Sequence, residues 1–265
     1  MSVMRMDLAD TGSPEGLVSL VLKHEPNFRV PVPIEELALQ LEIEEIAELE
    51  TEGFEGGLIT DSNRSRGIIL VKRGVNQPRR RFTIGHELGH FLIANHVPDE
   101  DGRFLCSRQD LQTLSAKEGD RRAKMEFEAN RFSSLILMPP PKLREYFKRQ
   151  PSPSIEHLFQ LADEFQVSKE AMARAYADYH PESLAFIIVK DGKVGRIYHN
   201  RKRPSSQQAG TNRFHKVRYS TEEIFGSAHQ VRSTKDCPTS GSMCRAGNAL
   251  RHSANKSVFR RMAMR

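Results

Sequence analysis

The chain has 265 residues, of which 38 % are hydrophobic and 28 % charged, with a mean hydropathy of −0.55. That suffices for one large core or two small ones, and no apolar run approaches the ~18 residues a membrane-spanning helix needs. The net charge of +6 is uneven: residues 190–265 carry 17 Lys/Arg against 4 Asp/Glu, leaving 23 basic and 30 acidic residues in 1–189.

Taken in order, the first twelve residues read as disordered. Acids there (MSVMRMDLAD) stand where a signal peptide needs an apolar stretch, which predicts no secretion by that route. Gly16–Leu22 is an apolar helical stretch. Pro33 opens a second helix to about Leu41, with Ile34, Leu37 and Leu41 on one face. Glu42–Leu49 alternates weakly as a strand. Gly56–Ile59 and Gly67–Val71 read as short strands around the polar turn Asp61-Ser62-Asn63-Arg64.

A strong helix is expected from about Phe82 to Asn95, ahead of Pro98, and residues 98–120 read as loop. A second runs from about Arg121 to Met138 and stops at Pro139-Pro140-Pro141, because proline lacks an N–H and restricts the residue before it. Helices at Ile155–Phe165 and Lys169–Tyr179 follow. Leu184–Val189 reads as a strand, and Asp191-Gly192 turns it back through Val194 to Tyr198. Beyond Asn200 no period persists. The organisation expected is a disordered stretch over 1–15, a core carrying the two strong helices over 16–148, a helical subdomain over 149–180, a strand and hairpin over 181–200, and a basic, poorly ordered tail over 201–265. Cys106, Cys237 and Cys244 are too few and too sparse for a disulfide framework and fit a reducing cytoplasm.

The informative segment is Thr83-Ile84-Gly85-His86-Glu87-Leu88-Gly89-His90-Phe91-Leu92, which contains H-E-x-x-H. Helical residues four apart are neighbours, so His86 and His90 can share a zinc ion through imidazole nitrogens. Glu87 beside them is placed to take a proton from a metal-bound water and pass it to a leaving amine. Ile84, Leu88, Phe91 and Leu92 form the face that buries the helix.

A catalytic zinc usually has three protein ligands and one open position. His96 has the spacing of H-E-x-x-H-x-x-G-x-x-H, but Ile93 stands where that pattern has Gly, and a β-branched residue resists the positive φ of such a turn. On a continuing helix His96 points away, as a surface residue at the helix end. The other candidate is Glu126, on the face that Ala129, Phe132, Ser133 and Ile136 mark as buried; Glu128, about 200° round by helical geometry, should be solvated. A carboxylate on a buried face needs a partner. A metal ion would serve, and so would Arg81 or Arg122.

Two blocks together resemble the ImmA/IrrE family of bacterial metallopeptidases. One is Arg79-Arg80-Arg81-Phe82-Thr83 ahead of His86-Glu87-Leu88-Gly89-His90. The other is Glu126-x-x-Ala129-Asn130-x-Phe132 followed by Leu135-Ile136-Leu137-Met138-Pro139. Phe54-Glu55-Gly56-Gly57 and the Gly67–Val71 strand also fit, so the resemblance covers about residues 30 to 180. It implies an α+β, zincin-like core in which the HExxH helix packs on a small twisted sheet. It implies Zn2+ held by His86, His90 and Glu126, with Glu87 as general acid/base. It also implies a regulatory protein as substrate, often a helix-turn-helix repressor. The substrate strand is expected on Gly67–Val71 as an exposed edge. Tyr146, Tyr176 and Arg79–Arg81 are candidates to stabilise the oxyanion.

Two other features bear on partners. Residues 154–179 could form a helix-turn-helix with Ser168 as N-cap, but Lys169 and Arg174 are offset by Glu170 and Asp178, so helices packed on a catalytic core are favoured over DNA binding. The basic tail could meet nucleic acid, yet four aromatics after residue 200 without a stacking pattern favour a solvated extension. Cys237 and Cys244, with His229 and His252, lack zinc-site spacing.

Overall fold

The structure is a computed structural model that describes residues 1–200, apart from 62, 114, 118, 191 and 192, together with strand residues 215–219. The unassigned tail beyond 200, with Cys237, Cys244, His229 and His252, otherwise lies outside the described residues. The chain divides into two compact units, Met1–Tyr146 with Phe159–Met172, and Phe147–Leu158 with Ala173 onward.

The first unit opens with a 3-10 turn, Arg5–Leu8, and helix α1, Pro14–His24. Within the stretch read as disordered, Val3 and Leu8 are buried, apolar anchors that a polar average hides. Helix α1 starts where Pro14 follows Ser13, whose side chain accepts from the Gly16 N–H. Helix α2, Ile34–Gln40, buries Ile34, Leu37 and Ala38. Strands β1 (Ile43–Leu49), β2 (Gly56–Thr60) and β3 (Gly67–Lys72) follow.

Helix α3, Gln77–Leu92, carries the HExxH motif. It begins five residues earlier than the apolar pattern indicates, because Asn76 accepts from the Arg79 N–H and Pro78 lies in the first turn. Then come β4, Arg103–Cys106, and helix α4, Arg121–Leu137, capped by Asp120 on the Ala123 N–H. Helix α4 ends just ahead of the proline run, as expected, and helix α5, Pro140–Arg149, starts within that run, because proline breaks a helix interior but suits a first turn.

The sheet has the order β1-β3-β2-β4, with β1 parallel to β3 and the other neighbours antiparallel. The strand expected at an exposed edge, Gly67–Val71, is therefore internal: both its sides are paired. The edges are β1 and β4. Strand β4 was hidden inside a polar stretch read as loop, and its four residues give only a short alternation, Phe104 and Cys106 buried, Arg103 and Leu105 exposed.

Helix α3 packs on β2 and β3 on one side and on α4 on the other. Small residues set the α3–α4 approach. A Cβ on Gly85 would stand 2.7 Å from Ser133 Oγ, and one on Gly89 would stand 3.2 Å from the Ala129 Cα. The Ser133 hydroxyl donates to the Phe82 carbonyl at 2.8 Å.

Helices α6 (Ile155–Glu164) and α7 (Lys169–Tyr179) form where they are expected, α6 one residue shorter, and each contributes residues to both units. In the second unit, β5 (Leu184–Lys190) pairs antiparallel with β6 (Lys193–His199), as the hairpin reading expects, and parallel with β7 (His215–Tyr219).

Candidate metal centre

Helix α3 presents His86 and His90 on successive turns, and α4 presents Glu126 opposite them. His86 Nε2 is 3.1 Å from His90 Nε2, and Glu126 Oε2 is 3.2 Å from the first and 3.5 Å from the second. Both imidazoles are fully buried and Glu126 is 5 % exposed. The alternative cations stand elsewhere: Arg81 Nη2 donates to the Val32 carbonyl at 2.7 Å, and Arg122 lies 3.6 Å from Asp110.

Hydrogen bonds behind the rings decide which nitrogens face the centre. The Asn130 amide N–H groups donate to the Asp110 and Thr113 carbonyls at 2.8 and 3.1 Å, which fixes the amide's orientation. Asn130 Oδ1, 2.9 Å from His86 Nδ1, therefore accepts from it, and His86 Nε2 carries a lone pair. On the other side His96 Nε2 donates to the Glu128 carboxylate at 3.2 Å. His96 Nδ1 then accepts from His90 Nδ1–H across 2.9 Å, and His90 Nε2 also carries a lone pair.

Three electron-rich atoms thus face one another with no hydrogen between them, and Glu126 Oε2 has no hydrogen-bond partner. Left alone, that arrangement is repulsive and a carboxylate there is costly. Donors around one tetrahedral ion at ~2.1 Å would be separated by about 3.4 Å. The observed separations bracket that value, so these residues fit a divalent metal.

Protonation follows the same logic. Burial pushes His90 down to about 4, keeping the imidazole neutral. Glu87 is different: burial first, then the charge of Glu126, pushes its carboxyl well above the ordinary 4.5. Its Oε1 is buried without a hydrogen-bond partner. It lies against Gly56 of β2, where a Cβ would come within 2.7 Å of Oε1 and 2.3 Å of Thr83 Cγ2.

Two groups escaped the sequence reading. His96 is 1 % exposed rather than a surface residue. Helix α3 stops at Leu92 and Ile93 turns the chain in an extended conformation (φ −77°, ψ 111°), with no positive φ required. His96 returns to the helix end on the Nδ1 side of His90, away from the cation position. Glu128, expected to be solvated, is half-covered against it. Strand β4 supplies the other group: Phe104 stacks on His90 (centroids 4.7 Å apart), and Cys106 Sγ lies 3.7 Å from Glu87 Oε2 and 3.8 Å from His90 Nε2. Donor atoms of His86, Glu87, His90 and Cys106 all lie within 4.8 Å of one another. The shorter separations of the His86, His90 and Glu126 set match one ion more closely.

The suggested oxyanion groups are engaged elsewhere. The Tyr146 hydroxyl bonds Glu164, and the Tyr176 hydroxyl pairs with His157 at 3.1 Å. Arg80 faces Glu35 and Glu48, and Arg79 faces Glu55. In the helical pair, Lys169, one of the two cations a DNA-facing helix would offer, stands over the Phe159 ring at 4.4 Å.

Residues 44–176 match the peptidase M78 family, described as an IrrE N-terminal-like domain. Among curated proteins, the chain is similar to a radiation response metalloprotease, IrrE, of Deinococcus radiodurans, at 29 % identity over 130 residues. The alignment covers 49 % of this chain and 36 % of the relative, so the chain spans only about a third of that protein's length.

Proposed function

The chain belongs to the IrrE N-terminal-like peptidase family, and from that premise we propose that it is a zinc-dependent endopeptidase acting on a regulatory protein. The observation that carries the reading is the meeting of three buried lone-pair atoms, His86 Nε2, His90 Nε2 and Glu126 Oε2, within 3.5 Å of one another. These would be the ligands. When bound, the metal supplies Lewis acidity for the scissile carbonyl and acidifies a water.

Glu87 is the proton carrier in this reading. A carboxyl whose affinity for protons is raised by burial can accept one at Oε1 and return it to the departing amine. A cation beside it acts in the opposite sense and brings it back toward ionisation. Asn130 and His96 hold the two imidazoles so that their lone pairs need no reorganisation. Strand β4, an edge strand whose inner residues touch His90 and Glu87, offers main-chain pairing to an extended substrate segment.

The proposed substrate is a helix-turn-helix repressor, in keeping with the family resemblance. No described helix is long and apolar enough to cross a membrane. The proposed location, the cytoplasm, rests on the three sparse cysteines, which suit a reducing compartment. Co-expression with a candidate repressor tests the activity: cleavage by the native chain, and intact repressor with Glu87→Gln retaining its zinc, are expected. Equal cleavage by both chains would overturn the role of Glu87.

A further inference from the structure

The geometry points to Cys106 as a fourth protein donor to the metal, one that competes with water for the position catalysis needs open. The inference rests on the metal-site reading above. Three observations carry it. First, Cys106 Sγ is 3.8 Å from His90 Nε2 and within 4.8 Å of the His86 donor. Nitrogen and sulfur on one tetrahedral ion, with bonds of ~2.1 and ~2.3 Å, would be about 3.6 Å apart. Second, Glu87 Oε1 and Glu126 Oε2 are buried without hydrogen-bond partners, Glu87 within the same donor group as Cys106 and Glu126 against the two imidazoles of that group. A cysteine kept only for packing belongs among apolar neighbours, not beside two acids. Third, the thiol is held in place. Cys106 pairs with Gly56 in the sheet, its carbonyl accepts from the Glu55 N–H at 2.9 Å, and the strand is anchored by Phe104 on His90.

The thiol hydrogen has an acceptor in Glu87 Oε2 at 3.7 Å. As sulfur binds the metal, that proton passes to Glu87 and the bound water leaves. One carboxylate therefore serves either the thiol or the water, and a site with three hard or borderline donors becomes closed by a soft one. Substrate hydrolysis then requires the sulfur to yield its place.

The test uses the full chain with Cys237 and Cys244 both replaced by Ser, so that Cys106 is the sole thiol, loaded with Co2+. Visible ligand-field bands report tetrahedral binding, and a sulfur-to-cobalt charge-transfer band in the near ultraviolet reports thiolate. Both are expected. Adding Cys106→Ser should remove the second, keep the first, and weaken Zn2+ binding at least about tenfold. Ligand-field bands without charge transfer in the thiol-bearing chain would overturn the inference and leave the metal site intact. Absence of both would overturn the metal-site reading itself. A charge-transfer band that survives Cys106→Ser would also overturn the inference, since the sulfur would not be Cys106. The band in the thiol-bearing chain needs no folded Cys106 variant to be read.

Discussion

His96 Nδ1 lies 2.9 Å from His90 Nδ1, so the ring just past the end of helix α3 sets the tautomer of the ring that faces His86 and Glu126. The chain of bonds runs from Glu128 through His96 to His90, and each link orients the next. Zinc binding is expected to weaken roughly 10–100-fold in His96→Ala and about tenfold in Glu128→Ala. Competition with a chelator measures both, and unchanged affinity in His96→Ala would break the relay.

Arg64 caps that helix end. Its Nη1 donates to the carbonyls of His90, Ile93 and His96 at 3.0–3.2 Å, and its Nη2 to Ala94 at 2.8 Å. Arg64→Ala should cost about 1–3 kcal/mol, since several bonds to a charged donor are lost while the freed carbonyls gain some water. Arg64→Lys should recover only part, because an ammonium cannot fork across two branches. Thermal unfolding of the three chains gives the order.

Gly56 touches Glu87. An added methyl would overlap Thr83 Cγ2 at 2.3 Å and Glu87 Oε1 at 2.7 Å. Gly56→Ala is expected to destabilise by about 1–3 kcal/mol through overpacking and to lower peptide cleavage while zinc content holds. Metal analysis beside a cleavage assay separates the two effects. Loss of metal with cleavage would place the damage at the ligands instead.

The raised carboxyl of Glu87 has a consequence for stability. A group whose folded pKa lies above its unfolded value contributes stability that is complete below the unfolded pKa and is lost as pH rises through the folded one. In metal-free protein, Glu87→Gln should therefore match the native chain near pH 4, below the ordinary 4.5, and become progressively more stable than it as pH rises. Melting temperatures across that range, with chelator present, show the divergence. A constant difference would mean that Glu87 ionises freely in the fold.

Much of this centre is legible in the residues. H-E-x-x-H on an amphipathic helix and a buried-face carboxylate at Glu126 rest on local periodicity, which one sequence records directly. His96, Phe104 and Cys106 do not. Their roles depend on where a helix stops and on a four-residue strand, features set by Arg64 and Gly56 at positions distant in sequence. The misplaced substrate edge has the same origin: Gly67–Val71 looks identical whether one neighbour or two flank it, and only the pairing of β1 makes it internal. Val3 and Leu8 show the converse, since two apolar contacts order a segment whose composition reads as loose.

The most direct measurement is the zinc-to-protein ratio of Glu126→Ala beside Glu87→Gln, each purified without chelator. A ratio of about one in the native chain and in Glu87→Gln, falling close to zero in Glu126→Ala, is what two imidazoles and a carboxylate from a second helix require. Full metal retained by Glu126→Ala would contradict that ligand set.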